Sequence, residues 1–579
     1  MRRLKMKRHS LLRLLKMSKP YWKIIVLCAL CVLAVNAAEL SKPYILKVVI
    51  DDFLINKKLE HGLYSIPAFG IIYMLMIAVS SILTVVQINA MNFASQNIIA
   101  ALRKKVFSHI QRLPLSILDK FSSGRLITRA TNDIEALSEM FTDVFLDLFK
   151  DIFLLVGIIF IMMRIDMKLA LIGFTVIPFI VIVTNIVKRK MKSNFVVIKS
   201  LTGQINGFFA ENISGMKLVQ IFNRQKEKQE EFKDLNDRYY KASLIRLTLN
   251  SVLMPAVEIF NTLAIAILVW YGMGRIMNQS LELGVLYAFT NYIKQFFGPI
   301  NDLAEKYNTI QSAAVSGDRI FELLDQEKSL EDYDSGKTIS RLAGEIEFKN
   351  VWFAYNEGDW VLKDVSFIIK KGQTAAFVGA TGSGKTTIVN LISRFYKIQK
   401  GEILIDGINI NDINLRDLRQ NIAVVLQDVF LFSGSIKDNI TLNSDISDEE
   451  VMAALKLSCA DEFINELPNK MDEVVTERGS TFSAGQRQLL AFARTIAHNP
   501  SIFVLDEATA NIDTKTEVLI QKSIENISTD RTTLIIAHRL STIRNADMIF
   551  IIRKGKIVES GNHETLMDLG GYYKQLNAV

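Results

Sequence analysis

The sequence predicts a membrane protein in two parts. A six-helix α-helical transmembrane domain with long cytoplasmic extensions is followed by an α/β phosphate-loop domain. Three observations predict this. Hydrophobic residues make up 50% of the 579 residues, and a mean hydropathy of +0.23 is high for a soluble chain. Apolar runs of membrane-crossing length crowd the first 300 residues. Residues 375–393, AAFVGATGSGKTTIVNLIS, read as an apolar strand, a glycine-rich turn and an amphipathic helix.

The first run begins near Tyr21, behind Arg2, Arg3, Lys5, Lys7, Arg8, Arg13, Lys16 and Lys19. That bias holds the N-terminus in the cytoplasm. Val35, Asn36 and Ala37 resemble a signal-peptide cleavage site, but the apolar pattern resumes through Ile50, so the segment reads as a membrane helix. Further runs centre on 71–86, 145–163, 169–186, 253–273 and 283–300, each near the roughly 20 residues a crossing needs. Six crossings of the cytoplasmic membrane leave both ends on its cytoplasmic side. The intervening segments 87–142 and 187–250 are long, basic and helix-prone, and extend the helices into the cytoplasm. Charges within the runs are few, and Glu258 and Lys294, at similar depth, are expected to pair or else to snorkel to the headgroups. Met254, Tyr292, Phe296 and Phe297 are expected to line a cavity for apolar cargo.

The formal charge of +8 fits basic loops facing an anionic leaflet, so no nucleic-acid partner is expected. Cys28, Cys31 and Cys459 form neither a disulfide framework nor a zinc site.

These runs bound a transmembrane domain at 1–317. Residues 318–343 lose the apolar periodicity and read as a linker, leaving a domain at 344–579. Residues 345–348 and 351–353 alternate as edge strands, and Tyr355 follows at a turn where its ring suits an adenine base. In the glycine-rich turn, Gly379, Gly382 and Gly384 let backbone N–H groups converge on phosphate at a helix N-terminus. Lys385 adds a cation, and Thr386 a hydroxyl for Mg²⁺. SIFVLDE at 501–507 is a buried strand delivering Asp506 toward Mg²⁺ and Glu507 toward an attacking water. The strand at 533–537 ends in His538.

In this order the motifs resemble the ATP-binding cassette superfamily over nearly the entire chain. They stand as Tyr355 for the adenine loop, GATGSGKT at 379–386, Gln427 in VVLQD, TERGS at 476–480, FSAGQ at 482–486, LDE at 505–507, NID ending at Asp513, and His538. Six spans ahead of one such domain are similar to a bacterial multidrug or lipid exporter half-transporter. The resemblance implies an ATP hydrolase coupled to transport, with ATP and Mg²⁺ as cofactors. It implies ATP contacts from Tyr355, Gly379, Thr381, Gly382, Ser383, Gly384, Lys385, Thr386, Thr387 and Asp513. It implies Mg²⁺ held by Thr386, Gln427 and Asp506, and a catalytic set of Glu507, His538, Gln427 and Lys385. Ser483, Gly485 and Gln486 would complete the site of a second half-transporter. Coupling helices are implied near 122–129 and 213–222. The expected cargo is amphiphilic or hydrophobic; a lipid flippase, a peptide exporter, an importer and a gated channel are alternatives on the same scaffold. One departure stands out: the signature is usually LSGGQ, and here Ala484 replaces a glycine and Phe482 a leucine. Together with intact hydrolytic residues, this favours a heterodimer over a homodimer that tolerates alanine.

Overall fold

The computed structural model describes residues 13–14, 16–56, 64–326, 336–506, 514–536 and 543–577. The chain divides into two units, Met1–Phe107 with Gly124–Asp325, and Ser108–Ser123 with Gln326–Val579.

The first unit is helical. Its long elements are α1 (Trp22–Val48), α2 (Ile66–Arg112), α3 (Phe145–Ile165), α4 (Met167–Phe174), α5 (Ile177–Ser214), α6 (Gln225–Met277) and α7 (Leu283–Leu324). Asp166 caps α4 by accepting from the Leu169 amide at 2.9 Å, and Pro178 sits in the first turn of α5, where its missing N–H costs nothing. At 53 residues, α6 is roughly 80 Å long against a hydrocarbon thickness of roughly 30 Å. It therefore crosses and continues well beyond the bilayer. Among the described residues, four stretches meet the length and hydropathy of a crossing: Lys19–Ile55, Ile66–Arg112, Met167–Ser214 and Gln225–Met277. The third and sixth predicted spans, α3 and α7, carry charged and polar residues within their apolar runs. α3 carries Asp147, Lys150 and Asp151, and α7 carries Asn291, Lys294 and Gln295.

One face of each of these two helices builds the interior of the unit, while α3 also leaves Ile152, Val156 and Phe160 exposed. Ile158 and Met162 of α3 pack with Leu169, Ile180, Leu268, Phe289, Tyr292, Ile293, Phe296 and Phe297. Tyr292, Phe296 and Phe297 are thus core residues, with the Tyr292 hydroxyl donating to the Leu40 carbonyl at 2.7 Å. This corrects the expectation that they line a cargo cavity: bulky apolar side chains on the inward stripe of a helix close the core. The side chain of Met254 lies outside the described residues. Glu258 and Lys294 are both exposed, and no ion pair joins them among the described residues. Lys306, largely withdrawn from solvent, does ion-pair, 2.7 Å from Asp151 and 3.3 Å from Asp147. Like α3, α2 leaves apolar residues exposed, among them Ile71, Met74, Leu75, Ile82 and Val85, the outward apolar surface of a membrane helix.

The second unit holds two main sheets. Strands β1 (Ile346–Ala354), β2 (Trp360–Ile369), β4 (Lys400–Ile405) and β5 (Ile408–Asn409) form an antiparallel sheet ordered β2-β1-β4-β5. The predicted pair of short edge strands is therefore one strand. β1 lies inside its sheet, and register shifts after Phe348 and Val351 explain the interrupted alternation. The other sheet contains β3 (Thr374–Val378), β6 (Ile422–Val425), β9 (Ile502–Asp506), β10 (Thr532–Ile536), β11 (Met548–Arg553) and β12 (Lys556–Gly561). Its order is β12-β11-β3-β10-β9-β6, parallel except at the β12 edge. The short strands β7 (Gly434–Ser435) and β8 (Val474–Val475) pair separately. Alternate residues of β3 enter opposite cores, Ala376 and Val378 one, Ala375 and Phe377 the other. Burial on both faces explains the continuous apolar runs of β3, β9 and β10.

Two boundary expectations change. α7 runs through Leu324, so the stretch expected to be a linker from Asp318 begins as helix. Its far end is fastened to the second unit, where the Ile339 amide donates to Asp417 and the Leu342 amide to Asn421. In the first cytoplasmic loop, the segment belonging to the second unit is the short helix Leu115–Leu118 and its flanks, not 122–129, whose helix Ser123–Ala130 lies almost wholly in the first. In the second loop a helix does occur, Met216–Ile221.

Candidate functional site

The parallel sheet gathers the site at its carboxyl edge, where open α/β sheets bind ligands. Ile536 of β10 pairs with Phe377 of β3 on one side and Asp506 of β9 on the other. Val425 of β6 pairs with Leu505. The carboxyl ends of these four strands therefore stand at one level and side by side, with the phosphate loop following β3, Asp506 ending β9 and Gln427 two residues beyond β6. Two strand spacings, roughly 10 Å, separate Asp506 from Phe377.

The phosphate loop is built for close approach. A Cβ on Gly379 would stand 2.2 Å from the Ile552 carbonyl oxygen, and Gly384 takes a φ of 111° before helix α8 (Lys385–Ile392). Only glycine meets both demands. Lys385 is buried, and its Nζ donates to the carbonyls of Gly379 at 2.7 Å and Ala380 at 3.1 Å. That arrangement draws the ammonium over the loop. Ser383 is also buried, and its Oγ has no partner among the described residues. A buried hydroxyl without a partner is costly, and a phosphate oxygen at the helix N-terminus would satisfy it. Thr386 is exposed in the first turn, while Thr387 turns inward. Gly382 has φ 79° and, like Thr381, is exposed.

The oxygen donors at this edge of the sheet include a hydroxyl from Thr386, a carboxylate from buried Asp506 and an amide carbonyl from exposed Gln427. Such hard donors fit Mg²⁺. Tyr355 lies beside α8, its hydroxyl 3.2 Å from both Thr387 Oγ1 and Asn390 Nδ2. Its ring remains half-exposed. The FSAGQ segment opens helix α9 (Ala484–Ala497). Ser483 Oγ accepts from the Gln486 amide at 3.2 Å and Gln486 Oε1 from the Ser483 amide at 2.9 Å, a capping box that presents the helix N-terminus outward. Gly485 is buried in its first turn. Ala484 is the first residue of that helix, where any L-residue is at ease, so the methyl imposes no backbone restriction and only its bulk remains.

Glu507, Asp513 and His538 lie outside the described residues. Sequence reasoning missed the carbonyl of Ile552 behind Gly379 and the contacts of Tyr355 with Asn390 and Tyr396. These depend on strand order and ring packing, for which a single sequence carries no periodic signal.

Residues 25–300 match the family described as ABC transporter transmembrane region, and residues 362–510 match ABC transporter. A probable multidrug resistance ABC transporter ATP-binding/permease protein of Bacillus subtilis is 40% identical over 490 residues, 84% of this chain and 72% of the relative. An ATP-dependent lipid A-core flippase of Syntrophus aciditrophicus is 33% identical over 568 residues, 98% of this chain and 94% of the relative. The structure of a bacterial Atm1-family ABC exporter with ATP bound superposes with a TM-score of 0.78 at 26% identity, over 96% of this chain and 98% of that one. The carboxyl-edge cradle is thus an ATP site in a cytoplasmic domain whose hydrolysis is coupled to transport, and exporters of this kind work as dimers in a lipid membrane. Membrane helices and nucleotide domain together make this chain a member of the ATP-binding cassette transporter family, a membrane-spanning half-transporter of the exporter type.

Proposed function

We propose that the chain exports amphiphilic or hydrophobic small molecules of the multidrug type across the cytoplasmic membrane by alternating access. The observation that carries the energetic half is the buried Ser383 hydroxyl, without a partner among the described residues, in a glycine cradle with Lys385. The likeness to a multidrug relative supports the cargo class, and the flippase likeness over nearly the whole chain supports lipid as the second reading.

In this reading the cradle amides, Thr381, Ser383, Lys385 and Thr387 bind the ATP phosphates and Tyr355 the base. Thr386, Gln427 and Asp506 hold Mg²⁺, which when bound neutralises phosphate charge. Glu507 takes the proton of the attacking water, His538 and Asp513 frame the phosphate side, and Ser483, Gly485 and Gln486 cap the ATP of the partner's cradle. The partner is a second half-transporter, and a heterodimer is favoured. The bulk of Ala484 would hinder the signature's approach to the partner's ATP, while this chain's own hydrolytic residues are intact. Stimulation of ATPase turnover in proteoliposomes by dyes, lipids and peptides tests the cargo. Dyes and apolar drugs are expected to stimulate; stimulation by lipids alone selects the flippase. Purification of the chain alone tests the partner, and a fully active two-fold dimer would overturn the heterodimer.

A further inference from the structure

The wall beside Tyr355 is continuous with the tip of the first cytoplasmic loop. Tyr355 meets Phe353 at 4.8 Å and Tyr396 at 5.0 Å, edge to face in both cases, and Phe353 meets Tyr396 at 5.8 Å. The three rings brace one another, so Tyr355 cannot swing without displacing Tyr396. Its hydroxyl is fixed from the other side by Thr387 and Asn390. The Tyr396 hydroxyl in turn donates to Oδ2 of Asp119, one residue beyond the helix Leu115–Leu118, and all these residues lie in the second unit. Burial, and then the Asp119 carboxylate, raise the Tyr396 phenol above its ordinary value, so it keeps its proton and remains the donor.

We propose that Tyr396 is a positioning residue: its hydroxyl is anchored by Asp119 and its ring braces Tyr355, so the affinity for the adenine base depends on how the first cytoplasmic loop is seated. The proposal rests on the reading of Tyr355 as the base contact. By reciprocity, base binding tightens the seat of that loop as much as the seat tightens base binding. Tyr355 touches the cradle helix α8 through Thr387, but Lys385 is fixed by its own bonds to the Gly379 and Ala380 carbonyls, independently of Tyr396. The effect therefore falls on nucleotide affinity and spares the chemical step.

The test measures KM and kcat for ATP with the assembled transporter in proteoliposomes, comparing Tyr396→Phe, Asp119→Ala, their combination, Tyr355→Ala and the Tyr355→Ala/Tyr396→Phe pair. Tyr396→Phe and Asp119→Ala should each raise KM by roughly fivefold or more with kcat held, and combining them should add nothing. In the Tyr355→Ala background Tyr396→Phe should have no further effect, since the contact through which it acts is gone. An unchanged KM for Tyr396→Phe beside an impaired Tyr355→Ala overturns the tether and leaves the base contact standing. An unchanged KM for Tyr355→Ala overturns the base contact and the proposal with it. Loss of kcat in proportion to folded protein, with KM unmoved, makes Tyr396 a structural brace and overturns the proposal as well.

Discussion

Lys306 on α7 ion-pairs with Asp151 on α3, Nζ to Oδ2 2.7 Å, and both side chains are largely withdrawn from solvent. This pair was invisible as a pair in the sequence, because its partners stand 155 residues apart and Lys306 lies beyond the sixth apolar run. Lys306→Met should strand the buried Asp151 carboxylate and destabilise by about 3–5 kcal/mol. Adding Asp151→Asn should recover much of that loss, since the uncompensated charge is gone. Thermal unfolding of the two variants in detergent checks it, and a double variant no more stable than the single would remove the pair from the account.

The close approach of Gly379 to the Ile552 carbonyl makes a second prediction. Gly379→Ala must push its methyl against a backbone oxygen 2.2 Å away and against Ser383 Oγ at 2.9 Å. Nucleotide binding should fall by at least about tenfold, the effect of roughly 1.4 kcal/mol, with the membrane helices still folded. Equilibrium binding of a fluorescent ATP analogue measures this; near-normal affinity would show that the loop shifts freely.

Asp166 gives a pH dependence. Burial opposes its ionisation, but the Leu169 amide and Arg275, with Nη1 2.6 Å from Oδ2, outweigh burial and hold the carboxyl below its ordinary value of 3.8. A group with a lowered folded pKa stabilises above its unfolded value and loses that contribution as acid protonates it. The helix α3–α4 junction should therefore weaken as pH falls from about 4 downward, and Asp166→Asn should flatten that part of the profile. Unfolding midpoints between neutral pH and pH 3 report it; an identical acid slope in Asp166→Asn contradicts the assignment.

The parts of the molecule that were legible in the sequence are those with local signatures. The strand–loop–helix of residues 374–392 could be read because glycine, lysine and apolar spacing each have one physical reason to stand there. Helices α1, α2, α5 and α6 could be read from length and hydropathy alone. Expectations failed where a residue's use depends on its neighbours in space. Tyr292, Phe296 and Phe297 suit a cavity wall and a core equally by composition, and only packing against Phe289 and Leu268 decides for the core. β1 looked like two edge strands because bulges break its alternation. Neither the Tyr396–Asp119 contact nor the Ile552 wall follows from any spacing along the chain.

Ala484 can be tested directly. As the first residue of α9 its replacement by glycine should cost no more than about 1 kcal/mol of stability. If its bulk hinders the partner's ATP, Ala484→Gly should raise the turnover of the assembled pair severalfold. Unchanged turnover would remove this methyl as a source of asymmetry between the two sites.

The most direct measurement is ATP-dependent uptake of a fluorescent amphiphile by inverted membrane vesicles carrying the transporter, with and without Glu507→Gln. Uptake into inverted vesicles reports export, and the amide keeps the shape of the carboxylate while losing its ability to take a proton. The expected result is uptake that needs ATP and nearly disappears in Glu507→Gln, with ATP binding preserved. Undiminished uptake and hydrolysis in Glu507→Gln, or ATP hydrolysis with no movement of any amphiphile, would contradict export driven by this site.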